Sequence, residues 1–174
     1  RGVAPSLLHP FLTQHHNVAT QVNVVNRHNA IERLKNNRDD LVVMGMVPSE
    51  RPFTSVPFLD NELVPVWRHD HPLAKKLKKS GKSLSAQKFL DLPQLVREQG
   101  SGTRLALEIH CQEHKLNFKP YMELGSSDAL KHAILAGLGV SVVPKLGIQA
   151  ELALGLLEIA PVTGFPLVRS WCLV

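Results

Sequence analysis

The chain has 174 residues, enough for one large domain or two small lobes. With 44% hydrophobic and 20% charged residues it has the balance of a soluble globular protein, and no apolar run reaches the ~18 residues that would span a bilayer. A formal net charge of +5 suits nucleic acid, acidic lipid or anionic metabolites and chooses none of them.

The opening residues, Arg1-Gly2-Val3-Ala4-Pro5, lack the charged start and apolar core of a secretory signal. Arg1 is not an initiating methionine, so the chain reads as a fragment. Leu7, Leu8, Phe11 and Leu12 then repeat at helical spacing behind Pro5 and Ser6, which suit a first turn. Val22, Val24 and Val25 predict a strand over 19–26, and Asn29 is placed to cap a short helix carrying Ile31 and Leu34. The apolar run 40–45 reads as a strand covered on both faces. Pro48, Pro52 and Pro57 predict a loop, after which 62–67 resumes as a strand that His69-Asp70-His71-Pro72 ends.

A lysine-rich segment and a short helix over 85–91 come next, then a brief strand at Leu95-Val96. Gly100-Ser101-Gly102 opens a helix reaching about Lys115, and 120–124 is a strand. Ser126 or Ser127 caps a helix through Ala136; Gly137 and Gly139 stop it before a buried strand at 140–143 that Pro144 ends. A helix near 146–153 and strands at 156–159 and 168–174 close the chain. Strands alternating with helices predict parallel α/β packing, in which a chain starting on a helix would lack its first strand.

Lys75, Lys76, Lys78, Lys79 and Lys82 have no interleaved aromatic residues and read as a solvated face. His110-Cys111-Gln112-Glu113-His114 puts two histidines one turn apart, yet no third ligand is evident and a polar helix face is the simpler reading. Cys111 and Cys172, far apart and outside any CxxC spacing, fit a reducing cytoplasm. No cofactor, metal centre or acid–base pair for catalysis is evident.

Several segments occur in a telling order: 40–45, Pro57-Phe58-Leu59, Glu62-Leu63-Val64, Asp70-His71-Pro72-Leu73-Ala74, Arg97-Glu98 with Gly100-Ser101-Gly102-Thr103-Arg104, Glu123-Leu124-Gly125-Ser126, Ala136-Gly137-Leu138-Gly139-Val140-Ser141, Gly155 with Leu157, and Phe165-Pro166-Leu167. The series resembles the effector-binding domain of LysR-type transcriptional regulators over nearly the whole chain. Its Arg-Glu-x-Gly-Ser-Gly-Thr-Arg and Glu-Leu-Gly-Ser versions look most like regulators of carbon-fixation (RuBisCO) operons.

The resemblance implies an α/β fold of two Rossmann-like lobes joined by two crossovers, like type 2 periplasmic binding proteins. Lobe I would be 1–67 with 145–174, lobe II 68–144, with crossovers near Arg68 and Pro144. It implies an effector in the interlobe cleft, a homodimer that becomes a homotetramer in the full-length protein, and promoter contact only through an N-terminal winged helix-turn-helix outside this chain. Dimer contacts would involve the helices near 31–34 and 105–111. A solute-binding protein of a transport system, with the same fold, is the alternative.

The site residues follow from both sources. Gly100-Ser101-Gly102-Thr103 lies between a strand and a helix, where unpaired N–H groups, the positive end of the helix dipole and two hydroxyls suit an anion. Taken alone, the segment reads first as a helix cap. The resemblance places it on the cleft with Ser126 and Ser127, and sets Gly45, Met46 and Val47 as the opposing wall. Arg97 and Arg104 either reach a phosphorylated or carboxylated effector or pair with an acid such as Glu98 or Glu108.

Overall fold

The computed structural model describes residues 3–49 and 53–174. Its backbone is β2 (Val56–Arg68), a 13-residue strand whose C-terminal half is covered on both faces. Leu63 and Trp67 belong to one buried cluster with Phe89, Leu107, Cys111 and Val142. Val64 and Val66, pointing the other way by the two-residue period of a strand, belong to a second with Leu130, Ile134, Val143 and Leu157. This double coverage explains why the strand reads as a continuous apolar run.

The strands around β2 are β1 (Val43–Gly45), β5 (Ser141–Pro144), β6 (Leu157–Ile159) and β7 (Leu167–Leu173). They form a five-stranded sheet in which β7 lies between β1 and β2, while β5 and β6 pair with β2. All four pairings are antiparallel, which corrects the expectation of parallel packing throughout. Among the described residues, parallel pairing joins β3 (Gln94–Arg97) to β4 (Pro120–Leu124), and recurs at the bridges that join Leu84 to Val162 and Gln94 to Val140. Gly139 permits the latter bridge: a Cβ there would meet the Pro93 carbonyl oxygen at 2.5 Å. A second polar tie crosses the same junction, where the buried Ser141 hydroxyl donates to the Leu95 carbonyl at 2.6 Å.

Helices α3 (Pro72–Ser80), α4 (Ala86–Leu90) and α5 (Gly102–Glu113) serve the first cluster. On α3, Leu73, Ala74 and Leu77 face that cluster while Lys75, Lys76, Lys78 and Lys79 stay exposed, so the lysine run is the wet side of an amphipathic helix. Helix α6 (Ser127–Leu135) packs Leu130, Ala133 and Ile134 into the second cluster. The segment expected as one helix near 146–153 is a 3-10 turn, Lys145–Ile148, followed by α7 (Gln149–Ala153).

Three other expectations are corrected. Residues 19–26 form no strand; Val22, Val24 and Val25 are exposed and join no sheet. Pro57 is inside β2, tolerated because the ladder with β7 is irregular between Pro57 and Leu59. The run at 40–45 is covered on one side only: Val42 and Met44 are buried, whereas Leu41 is 67% exposed. Pro52 lies outside the described residues. Helix α1 (Val3–Gln14) forms as expected, and α2 (Arg27–Lys35) is capped three residues before the expected cap: Asn26 is the N-cap, accepting from the Asn29 amide.

Candidate functional site

Three predicted segments lie at strand ends. β1 ends at Gly45 and continues into Met46 and Val47; β3 ends at Arg97 before Glu98-Gln99-Gly100; β4 ends at Leu124 before Gly125-Ser126. Helices α5 and α6 start directly after the second and third of these. Ser101 is the N-cap of α5, its Oγ accepting from the Arg104 amide at 3.5 Å, and Ser126 is the N-cap of α6, accepting from Ala129 at 3.1 Å. Both helix starts therefore keep first-turn N–H groups without intrahelical partners and a positive dipole end.

Two arginines hold these segments together. Arg97 donates Nη1 to the Ser127 hydroxyl at 2.6 Å, joining the end of β3 to the start of α6. Arg27, the first residue of α2, donates Nε to the Met46 carbonyl at 2.9 Å. Its Cδ lies 3.5 Å from where a Cβ would stand on Gly102, at the start of α5. The β1 end and the α5 start thus both lie beside the Arg27 side chain. Met46 adopts φ +53, a left-handed conformation uncommon for a residue with a Cβ, at the carbonyl that Arg27 engages.

The turn before α5 is fastened to the start of α2. The His28 amide donates to the Gly100 carbonyl at 3.0 Å, and Asn26 Nδ2 donates to Glu98 Oε1 at 3.2 Å. Gly100 adopts φ +90, and a Cβ there would meet the Cβ of His28 at 2.9 Å. This position needs glycine for its backbone conformation and for the close approach.

The charges are arranged unevenly. Arg97 grips Glu98 with two donors, at 2.8 and 2.9 Å. Burial opposes ionisation of Glu98, but hydrogen bonds from Arg97 and Asn26 outweigh it and hold the carboxyl below the usual carboxylate range. Arg104 donates to Glu108 at 2.8 Å, to Glu123 at 2.6 Å and to the Arg97 carbonyl at 3.0 Å. Burial pulls its pKa down, yet those two carboxylates raise it above the ordinary value. Both pairings open from sequence, Arg97 with Glu98 and Arg104 with Glu108, are therefore present. Arg27 has no carboxylate partner among the described residues, and burial lowers its pKa.

The structure thus gathers Gly45, Met46, Ser101, Gly102 and Ser127 through Arg27 and Arg97, with Thr103 in the first turn of α5. Arg104 turns toward Glu108 and Glu123. Sequence reasoning missed Arg27 and Asn26, although an Asn-Arg pair after a valine run is a legible helix start. The other histidine-rich segments do different work. His71 caps α3, accepting from the Leu73 amide at 3.2 Å, and stacks on Trp67 at 4.7 Å. His110 is buried beside His114 and Phe165. Among the described residues no group of three or more His, Cys, Asp or Glu side chains is placed to hold a metal ion.

The comparisons with known proteins give the family and the fold. Residues 1–174 match the family described as the LysR substrate binding domain. A RuBisCO operon transcriptional regulator of Acidithiobacillus ferrooxidans is 42% identical over 167 residues, 96% of this chain and 52% of that protein. The HTH-type transcriptional activator CmpR of Synechocystis sp. is 35% identical over 170 residues, 98% of this chain and 54% of its own length. The chain therefore spans about half the length of the curated relatives it matches.

Among solved structures, the Synechocystis PCC6803 CcmR regulatory domain in complex with 2-PG superposes with a TM-score of 0.87 at 35% identity, covering 97% of this chain and 79% of that one. The effector binding domain of QuiR in complex with shikimate shares the fold, with a TM-score of 0.82 at 22% identity over 98% of this chain and 79% of that one. The expected α/β architecture of two lobes, like type 2 periplasmic binding proteins, is accordingly the fold of this chain. It belongs to the LysR substrate binding domain family.

Proposed function

We propose that this chain is the effector-sensing domain of a LysR-type DNA-binding transcription regulator of carbon metabolism, and that it binds a small phosphorylated or carboxylated anion between its lobes. The observation that carries the reading is the meeting of one strand end and two helix starts around Arg27 and Arg97. Ligands of open α/β sheets bind at carboxyl ends of strands, and helix N-termini there favour anions. Relatives that regulate RuBisCO operons, and the 2-PG held by the CcmR regulatory domain, point to the same chemical class. Phosphoglycolate is the first compound to try.

In this reading lobe I comprises 1–67 and 145–174, and lobe II 68–144. The crossovers fall where β2 ends at Arg68 and β5 ends at Pro144, two strands paired side by side. Backbone N–H groups at Gly100, Ser101, Gly102 and Thr103, with the hydroxyls of Ser101, Thr103, Ser126 and Ser127, supply donors. Gly45, Met46 and Val47 form the facing wall. Arg97 and Arg104, with their acidic partners, fix the two helix starts.

Closure on the effector would change the lobe angle and bias a homodimer or homotetramer that carries DNA-binding domains, in the cytoplasm. Promoter DNA would be read by the helix-turn-helix part of the full-length protein, and the domain would catalyse nothing. The transporter solute-binding alternative shares the fold, but the relatives found are transcription regulators.

The test is a Ser101→Ala/Thr103→Ala double variant titrated with phosphoglycolate by calorimetry. Loss of hydroxyls bonded to a charged ligand is expected to weaken binding by about tenfold or more. Affinity equal to that of the unaltered protein, with the fold intact by circular dichroism, would refute the site.

A further inference from the structure

We propose that Arg27 is the cation that holds the effector's phosphoryl group, an inference that rests on the effector-site reading above and adds a ligand residue to it. Positive charge near the start of α5 is unevenly committed. Arg97 and Arg104, the two arginines of the Arg-Glu-x-Gly-Ser-Gly-Thr-Arg segment, have their charges paired with Glu98, Glu108 and Glu123. Elsewhere Arg33 is bidentate on Asp39 and Arg68 on Asp70. Arg27 differs from all four. Its one hydrogen bond among the described residues runs from Nε to a carbonyl, and neither Nη group has a partner among them.

A part-buried guanidinium without a counter-charge bears a desolvation cost that no neighbouring carboxylate offsets. A bound anion would offset it. The Nε bond to Met46 orients the side chain, so less rotamer freedom remains to be lost on binding. The guanidinium stem runs beside the α5 start, its Cδ 3.5 Å from where a Cβ would stand on Gly102. One oxyanion group can therefore meet both the Nη donors and first-turn N–H groups. A planar fork of N–H donors matches phosphate geometry, and a phosphoryl group carries more charge than a carboxylate.

Arg27 also belongs to α2, whose start is tied to the α5 turn through Asn26 and His28. A ligand that recruits Arg27 thus bridges an element of one lobe to the helix start of the other.

The test is calorimetry of the protein with phosphoglycolate, inorganic phosphate and glycolate, on Arg27→Gln, Arg27→Lys and the Ser101→Ala/Thr103→Ala double variant. Arg27→Gln is expected to weaken phosphoglycolate and inorganic phosphate by about 10- to 100-fold, with glycolate changed by less than about threefold. Arg27→Lys, which keeps the charge and loses the fork, is expected to lose about 3- to 10-fold on the phosphorylated ligands. Phosphoglycolate affinity within about twofold of the unaltered protein in Arg27→Gln would overturn the inference. So would equal losses for glycolate and phosphoglycolate, the signature of a merely structural role.

Should Arg27→Gln fail to fold, Arg27→Lys decides, and undiminished phosphate affinity in it overturns the inference. A double variant that weakens binding while the Arg27 variants do not leaves the site standing and removes Arg27 from it. Absence of saturable binding of all three anions by the unaltered protein overturns both readings.

Discussion

Replacing Gly100 by alanine tests the junction between α2 and the start of α5. At φ +90 an L-residue is strained, at a cost of about 1–2 kcal/mol. The added Cβ would also stand 2.9 Å from the Cβ of His28. That atom is attached directly to helix backbone and has no flexible tip to swing aside, so relief requires α2 to move. Movement would stretch the His28 amide to Gly100 carbonyl bond, now 3.0 Å, which contributes about 0.5–1.5 kcal/mol. The combined loss is about 2–3 kcal/mol, or about 4–12 °C in melting midpoint for a domain of this size. Urea denaturation followed by circular dichroism would read it. Gly125→Ala is the control, because nothing lies within 4 Å of a Cβ there and its φ is not positive. A Gly100→Ala variant within about 0.5 kcal/mol of the unaltered protein would refute the junction as described.

Two further outcomes follow from the core and the histidines. Phe89 is 0% exposed and its ring lies 6.4 Å from that of Trp67, so Phe89→Ala is expected to cost about 3–5 kcal/mol by chemical denaturation; a loss under about 1 kcal/mol would contradict the packing. Burial lowers the pKa of His71, and burial with His114 and Arg169 nearby lowers that of His110. Both then bind protons more readily when unfolded, so their contribution to stability is full above 6.5 and is lost as the pH falls below it. The melting midpoint should decline between about pH 7.5 and about pH 5.5, and a His110→Phe variant should flatten the decline. An unchanged slope in that variant would remove His110 from the account.

Much of the second half of the chain was legible because local signals and tertiary structure agree there. Ser85, Ser101 and Ser126 each cap the helix that follows, Gly139 sits where backbone must approach backbone, and 120–124 is the β4 strand. The first half misled for physical reasons. Val22, Val24 and Val25 have the period and branching of a strand, but a strand needs a partner, and none pairs with them among the described residues. Reading them as a strand pushed the helix cap from Asn26 to Asn29, hid Asn26 in the strand's tail and left Arg27 in the gap before the helix. The antiparallel arrangement around β2 was equally hidden, since a run buried on both faces looks alike whichever way its neighbours point.

That hidden start alters how the motif around α5 should be understood. An Arg-Glu-x-Gly-Ser-Gly-Thr-Arg segment reads as a cluster of positive charge offered to a ligand. In the folded chain the first arginine closes on its neighbour Glu98 and reaches Ser127, while the last bridges Glu108 and Glu123. Paired charges of this kind contribute little net attraction to a distant anion, because each carboxylate cancels the field of its arginine. Their effect is positional: they set the start of α5 against the ends of β3 and β4, so that its dipole and N–H groups keep a fixed direction. The uncancelled charge comes from Arg27, some seventy residues earlier in the chain. Charge and donors at this site therefore come from different lobes in the proposed division. An anion that needs both would bind well only when α2 and α5 hold the separation seen here, and that requirement is what would let a domain of this fold report its ligand as a change of shape.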